Sequence, residues 1–198
     1  MSDDLYQGQH RSSSAEFKLI TNASLTPDMG VRPDDMKLLL TELNSLIHDQ
    51  LEIHYVAFLE SLTQLDEEAT RKTFCDFSQT LDHHRLFEDT SILPLLIPGT
   101  DIDAAELARI SGDHTIIERT LARVTNIVDA IFTAKNQRRT LVQQLSGLVR
   151  MQGLLEHHTE RETQFFYPIL DQTLSQNQKN SLAQSLREAI DQTPSGSE

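Results

Sequence analysis

Residues 155–170 read LEHHTERETQFFYPIL, and an earlier stretch, residues 81–96, reads LDHHRLFEDTSILPLL. Both copies contain a His-His pair, a Glu four residues after the second His, and a Pro six residues after that Glu. On an α-helix, residues i and i+4 lie one above the other on a single face. His84 and Glu88 therefore point in one direction, as do His158 and Glu162. Two such pairs facing each other would form a metal site.

The length and composition of the chain suit one helical domain. Its 198 residues are enough to bury a substantial core. Hydrophobic residues make up 38% of the chain, and the small numbers of Gly (seven) and Pro (six) leave long stretches for helices.

The charge of the chain limits its partners. A formal net charge of -13 argues against binding to nucleic acid or to an anionic membrane surface. The most apolar run, residues 92–98, is far too short to span a bilayer. The acidic N-terminus shows no targeting signal. We therefore expect a soluble cytoplasmic protein, and the sequence indicates no particular protein partner.

Cys75 is the only cysteine, so neither an internal disulfide nor a thiolate metal cluster is available. Any bound metal must then be held by nitrogen and oxygen atoms. An ordinary half-buried cysteine is the expected role of Cys75, with redox sensing as the alternative.

Apolar residues recur at steps of three and four along most of the chain, which is typical of amphipathic helices. We predict an all-α fold, an up-down-up-down four-helix bundle, with helices at about residues 34–66, 67–96, from 103 onward, and 137–173. An N-terminal extension (residues 1–33) precedes the bundle (residues 34–173). A short helix at about 175–191 and a disordered tail follow it, in residues 174–198. The residues expected to face the core include Leu95, Leu145 and Phe165.

Each of the four predicted helices carries one histidine in or beside its apolar face. A buried polar side chain is costly unless it is hydrogen-bonded or ligates a metal. A single histidine in such a position is more often a hydrogen-bonded core residue. Four of them, one per predicted helix and two within the repeated His-Glu pairs, favour a metal site. They are His48, His84, His114 and His158.

The chemistry of these side chains limits the choice of metal. Imidazole and carboxylate groups together suit Fe, Mn or Zn. Four His with Glu88 and Glu162 are too many ligands for one tetrahedral zinc ion. They suit two six-coordinate ions better, with the carboxylates bridging the ions and an exogenous ligand completing the coordination.

Over about residues 36–172 the chain resembles the hemerythrin-like proteins, also called the HHE cation-binding family. The resemblance rests on His48-Asp49, on His84 and Glu88 with Pro94, on Asp113-His114, and on His158 and Glu162 with Pro168. It implies a four-helix bundle with a non-haem di-iron centre. It also implies reversible oxygen binding, as in some members, or sensing of oxygen, nitric oxide, redox state or iron, as in others. The positions that match the family's ligands are His48, His84, Glu88, His114, His158 and Glu162.

One position departs from the oxygen-carrying members of the family. They have a second histidine four residues after the third-helix histidine, and this chain has Glu118 there. We predict Glu118 as a further ligand, with a solvated helix face as the alternative. Glu52 stands four residues after His48 and is expected to be solvated. Simple oxygen carriage is therefore less favoured than sensing, iron handling, or peroxide or nitric oxide chemistry.

Other functions remain open at this point. A di-iron centre with an open position could act as a peroxidase or catalase. A ferritin-like oxidase is disfavoured because the chain has no Glu-x-x-His motif. A helical interaction module with a structural metal is a third possibility. The aromatic side chains of Tyr55 and of residues 165–167 are expected to pack in the core.

Overall fold

The computed structural model describes residues 39–96 and 104–191, which contain five helices and no strand. The all-α prediction is therefore confirmed for these residues. The helices are α1 (Leu40–Gln64), α2 (Glu67–Phe87), α3 (Ala104–Thr133), α4 (Gln137–Arg161) and α5 (Gln176–Asp191). Helices α2 and α4 are extended by further helical turns. A π-helical segment (Glu88–Ile92) and an α-helical turn (Leu93–Leu96) follow α2, and a π-helical segment (Glu162–Phe166) and an α-helical segment (Tyr167–Thr173) follow α4.

Short turns with strong local signals reverse the chain between neighbouring helices. Leu65 ends α1 in the left-handed conformation, with φ 58°, and Asp66 then caps α2 by accepting a hydrogen bond from the backbone N–H of Ala69. Asn136 caps α4 in the same way through the N–H of Arg139. Such short connections make α1 and α2, and α3 and α4, adjacent helices.

Side-chain contacts show that α1 and α2 run antiparallel and that α3 and α4 pack closely. Between α1 and α2, Ser61 contacts Thr73 near the turn, whereas Tyr55 contacts Phe77 farther from it. A Cβ atom on Gly147 of α4 would lie only 2.6 Å from Cδ1 of Ile127 on α3, so these two helices approach closely at a residue without a side chain.

Asp171 joins three helical segments at one end of the described unit. Its carboxylate accepts hydrogen bonds from the backbone N–H groups of Leu40 (2.8 Å) and Thr41 (3.0 Å), and so caps α1 from a distant part of the chain. Lys179 of α5 is 1% exposed and lies 3.1 Å from the same carboxylate. Leu39, the residue before α1, provides no side-chain cap of its own.

The two π-helical segments correct the predicted core faces. Leu95 and Phe165 are exposed, and Leu96 and Phe166 are buried instead. On a regular α-helix, each step of four residues turns the side chain about 40° farther around the helix axis. After three such steps the side chain would no longer face the core. A wider π turn after each Glu restores the register, so that buried residues continue at steps of four. Leu145 is also exposed, contrary to the prediction, on a regular part of α4.

The predicted helix limits agree with the structure where they can be compared. Several predicted features lie outside the described residues: the extension at 1–33, the first helical turn at 34–38, the loop at 97–101, the helix start at residue 103, and the tail. Within residues 39–96 and 104–191, every helix is too short or too polar to cross a bilayer.

Candidate metal centre

The two repeated His-Glu pairs meet in the interior. His84, Glu88, His158 and Glu162 are all buried, and each contributes one nitrogen or oxygen atom to a set lying within 4.8 Å of one another. The i+4 spacing places each pair on one helix face, as the sequence predicts. This group could hold a metal ion.

The histidines of α1 and α3 complete the cluster from the other side. Nε2 of His48 lies 2.8 Å from Oε2 of Glu162, and Nε2 of His114 lies 3.2 Å from Oε2 of Glu88. His48 and His114 are therefore brought to the same centre as the repeated pairs. All four predicted histidines and both repeated glutamates converge there.

The donor atoms sort into two groups of four. In the first, called the His48 group, Nε2 of His48 lies 3.1 Å from Nε2 of His84. Nε2 of His84 in turn lies 3.7 Å from Oε2 of Glu162 and 3.7 Å from Oε1 of Glu88. The rings of His48 and His84 are 4.7 Å apart and nearly perpendicular.

The second group, called the His114 group, takes the other oxygen of each carboxylate. Nε2 of His158 lies 2.7 Å from Oε1 of Glu162 and 4.0 Å from Oε2 of Glu88. His114 completes this group through its contact with Oε2 of Glu88. Each group thus contains two imidazole nitrogens and one oxygen from each of the two glutamates, and the groups share no atom.

Electrostatics show how the carboxylates are balanced in the interior. Burial opposes the charge on His158, but Glu162 outweighs this effect and raises the pKa of His158 to about 10. Burial likewise opposes the charge on His84, but Glu88 and Glu162 raise its pKa above the ordinary value. Burial alone would raise the pKa of Glu162, but His158 holds that pKa well below the ordinary value. The buried carboxylates therefore favour positive charge on both imidazoles, as they would favour a cation.

Several polar side chains around the donors fix their orientation. The hydroxyl of Tyr167 donates to Oε1 of Glu88 at 2.7 Å, and Nδ2 of Asn44 donates to Oε2 of Glu162 at 3.3 Å. Nδ1 of His114 lies 2.7 Å from Oδ1 of Asp89. A carboxylate at Nδ1 keeps the proton there and leaves the Nε2 lone pair of a neutral imidazole available for a metal.

A further carboxylate lies beside the fourth histidine. Oδ2 of Asp113 is 3.8 Å from Nδ1 of His158 and forms an ion pair with Arg161. Burial alone would raise the pKa of Asp113, but His158 and Arg161 lower it. On the opposite side, Nδ1 of His48 contacts the hydroxyl of Thr159 at 2.7 Å.

Glu118 lies outside the buried group. It is exposed on α3, and the structure gives no support to the prediction that it is a ligand. The reason is the regular geometry of α3. Ile117, three residues after His114, takes the next core position, and the side chain of the following residue, Glu118, points toward solvent. Glu52 is exposed as well, as expected.

The remaining candidates also lie away from the donors. His157 is exposed, and Tyr55 is a core residue whose hydroxyl donates to the carbonyl of Leu148. Cys75 is exposed and lies beside a cavity of about 300 Å³ between α2 and α3. None of the donor residues lines this cavity. Its other lining residues are Arg71, Phe74, Ser78, Thr125 and Val128.

Sequence reasoning missed two residues that contact the carboxylates. Tyr167 was expected only to pack in the core, and Asn44 was not considered. The two copies of the repeat differ at the position of Tyr167, where the earlier copy has Leu93. This difference, five residues after a candidate ligand, could have indicated a role for the Tyr167 hydroxyl. Asn44 lies one turn before His48, a spacing that also places it on the same face.

The donor set fits a metal ion. Donor atoms about 3 Å apart have the spacing of adjacent ligands at right angles, each about 2.1 Å from one ion. Two donors, Oε2 of Glu88 and Nε2 of His114, also have no hydrogen bond to any described residue. Buried polar atoms normally have partners, and a cation would supply one.

Comparisons of the chain with protein-family models, with curated proteins and with solved structures found no match.

Proposed function

We propose that the chain is a hemerythrin-like protein that holds two iron ions and binds or senses oxygen, nitric oxide or the availability of iron. One observation carries the proposal. The imidazole and carboxylate atoms divide into two sets of the same composition, and both glutamates contribute one oxygen to each set. Such a division suits two ions bridged by two carboxylates.

The donors suit iron as they would manganese or zinc, and the resemblance to the hemerythrin-like proteins favours iron among these. Each group offers two imidazole nitrogens and two carboxylate oxygens, with no sulfur. Four donors are fewer than a six-coordinate ion accepts, which leaves positions for a small exogenous ligand. Glu118 is exposed and does not add a donor to the His114 group. When bound, the ions would supply redox chemistry and affinity for diatomic molecules or peroxide.

The residues of the chain would hold and orient this centre. Asp89 would keep the proton of His114 on Nδ1, so that Nε2 is available as a donor. Tyr167 and Asn44 would hold the two carboxylates in place. Apolar side chains around the site, among them Phe166 and Ile92, exclude water and strengthen these electrostatic interactions.

The proposed architecture is an up-down-up-down bundle of α1 to α4, with α5 packed outside it. Its support is the antiparallel contact of α1 with α2 and the close packing of α3 on α4. The contacts of Tyr55 with Leu148 and of Leu40 with Asp171 indicate that α1 and α4 also run antiparallel. A bundle of this kind brings inward-facing residues of four helices to one centre. Location in the cytoplasm remains a prediction from the acidic composition.

The test of function is an anaerobic titration of the iron-loaded protein with oxygen and then with nitric oxide, read optically. Reversible spectral changes with either gas are expected. Changes with neither gas, from a protein that holds two iron ions, would contradict gas binding and leave iron sensing. Rapid consumption of peroxide by the native protein but not by His158→Ala would indicate an enzyme instead.

A further inference from the structure

The two donor groups differ in the hydrogen bonds that their carboxylate oxygens already make. In the His48 group, Oε1 of Glu88 accepts from Tyr167, and Oε2 of Glu162 accepts from Asn44 and contacts His48. The two imidazoles of this group are also bonded to each other, because Nε2 of His84 lies 3.1 Å from Nε2 of His48.

Two donors of the His114 group are uncommitted. Oε2 of Glu88 and Nε2 of His114 are buried and have no hydrogen bond within the described parts of the chain. Oε1 of Glu162, by contrast, lies 2.7 Å from Nε2 of His158. Asp89 fixes the tautomer of His114 and leaves its Nε2 lone pair directed at Oε2 of Glu88, 3.2 Å away. An unpaired buried polar atom is costly, and a cation between these atoms would relieve that cost at once.

The asymmetry arises from departures from the internal repeat. Tyr167 corresponds to Leu93 in the earlier copy. His48 on α1 and His114 on α3 hold corresponding positions in the two helix pairs. Four residues before His48 the chain has Asn44, whereas four residues before His114 it has the buried Ile110. Both additional hydrogen-bond donors therefore act on oxygens of the His48 group, and neither has a counterpart in the His114 group.

The groups also differ in their access to solvent. The side chain of His48 is 9% exposed, whereas those of His84, His114 and His158 are 1–3% exposed, so access to solvent lies on the side of His48. An ion in the His48 group would lie nearer to water than one in the His114 group. It would also displace existing hydrogen bonds on entering.

We infer that the centre fills in a fixed order, with the first ion in the His114 group and a second, exchangeable ion in the His48 group. This inference rests on the proposed two-ion site. The first ion would be resident, and occupancy of the His48 group would follow the concentration of available metal. The partly filled protein would then be a distinct state at low iron, which is the property that an iron sensor requires.

The experiment is an anaerobic calorimetric titration of the metal-free full chain with Fe²⁺. The native protein is expected to show two binding steps whose affinities differ by at least tenfold. His48→Ala should leave the first step within about twofold and weaken the second by at least about 10-fold, since loss of even an outer-shell partner of a metal costs about 10- to 100-fold. His114→Ala should instead weaken the first step. Circular dichroism of each metal-free variant checks its folding.

A second measurement uses the native chain alone, in case a variant does not fold. Half an equivalent of Zn²⁺, a diamagnetic ion, is added, and the ¹⁵N signals of the imidazole nitrogens are followed. Large coordination shifts should appear first at Nε2 of His114 and His158, and at Nε2 of His48 and His84 only after a full equivalent. Two equal steps, simultaneous effects on both groups, or the reverse order would overturn the inference. Absence of any Fe²⁺ binding by the native protein would instead overturn the proposed function.

Discussion

Nε2 of His114 faces Oε2 of Glu88 across 3.2 Å of buried interior, and neither atom has a hydrogen bond to the described residues. The carboxylate of Asp89 lies 2.7 Å from Nδ1 of the same imidazole and holds its proton there. With the proton on Nδ1, the Nε2 lone pair of a neutral imidazole is therefore directed at a buried carboxylate oxygen. Such an arrangement costs stability in the metal-free protein and becomes favourable when a cation lies between the atoms.

Glu88→Gln tests this relationship. The amide of Gln can donate to Nε2 of His114 while its carbonyl still accepts from Tyr167, but the change also removes the charge that interacts with Tyr167 and His84. Because these effects oppose each other, the stability of the metal-free protein should change by no more than about 1 kcal/mol. The same change should remove most of the metal affinity. Urea unfolding of the metal-free protein and iron analysis measure the two effects. The matched control is Glu118→Gln on the exposed side of α3, which should change neither quantity.

Removal of metal should destabilise the protein because the ion binds only the folded chain. At a free metal concentration of 100 times the Kd, one site contributes about 2.7 kcal/mol, or a Tm shift of roughly 5–10 °C for a domain of this size. His158→Ala should lose most of this difference between loaded and chelated protein. The exposed neighbour offers a control, because His157→Ala should retain it. An unchanged Tm on chelation of the native protein would favour an interaction module.

Tyr167→Phe separates the role of this hydroxyl from that of an ordinary buried tyrosine. Its hydrogen bond to Glu88 has a charged acceptor and should contribute about 1.5–3 kcal/mol to stability. Tyr55→Phe removes a hydroxyl that donates to a backbone carbonyl, with an expected cost of about 0.5–1.5 kcal/mol. Both variants should lose stability, but only Tyr167→Phe should alter the optical spectrum of the iron-loaded protein. Identical spectra for the two variants would show that Tyr167 is merely a packing residue.

The sequence alone was enough to predict the residues of the candidate metal centre. Spacing at i+4 and one histidine per predicted helix were enough to name the six residues that converge. Periodicity also predicted the extent of the described helices. These features depend on local geometry, which a sequence records directly.

The parts that sequence reasoning missed depend on geometry that is not local. A π turn moves the buried positions from Leu95 and Phe165 to Leu96 and Phe166, and the regular spacing of an α-helix does not predict it. Glu118 has the same i+4 spacing as the repeated pairs, yet its helix is regular at that point and turns it to solvent. The contact of Tyr167 with Glu88 joins residues 79 positions apart.

Asp171 and Lys179 provide a test of the fold away from the metal centre. Asp171→Ala should cost about 3–5 kcal/mol because it leaves the buried ammonium of Lys179 without its carboxylate and removes the cap of α1. Lys179→Met should cost much less, and the double variant should recover a large part of the loss. Equal losses for Asp171→Ala and the double variant would show that the unpaired ammonium is not the main cost.

The same pair predicts a dependence of stability on pH. Burial alone would raise the pKa of Asp171, but hydrogen bonds from Thr41 and Leu40 lower it below the ordinary value of 3.8. Because the folded-state pKa is lowered, this contribution to stability is present above about pH 4 and is lost as the pH falls through the folded-state value. Acid unfolding of Asp171→Asn, compared with the native chain, should show a smaller loss over that range. An identical acid profile would contradict the assignment.

We propose that six side chains, five of them buried, hold two ions, and a count of the iron bound per chain is the most direct test. The purified chain should be loaded with Fe²⁺ without oxygen, desalted and analysed for iron per chain. The account predicts about two iron ions for the native protein and fewer than one for a Glu88→Gln, Glu162→Gln double variant that remains helical. A native protein without stoichiometric iron, or a double variant that still holds two ions, would contradict it.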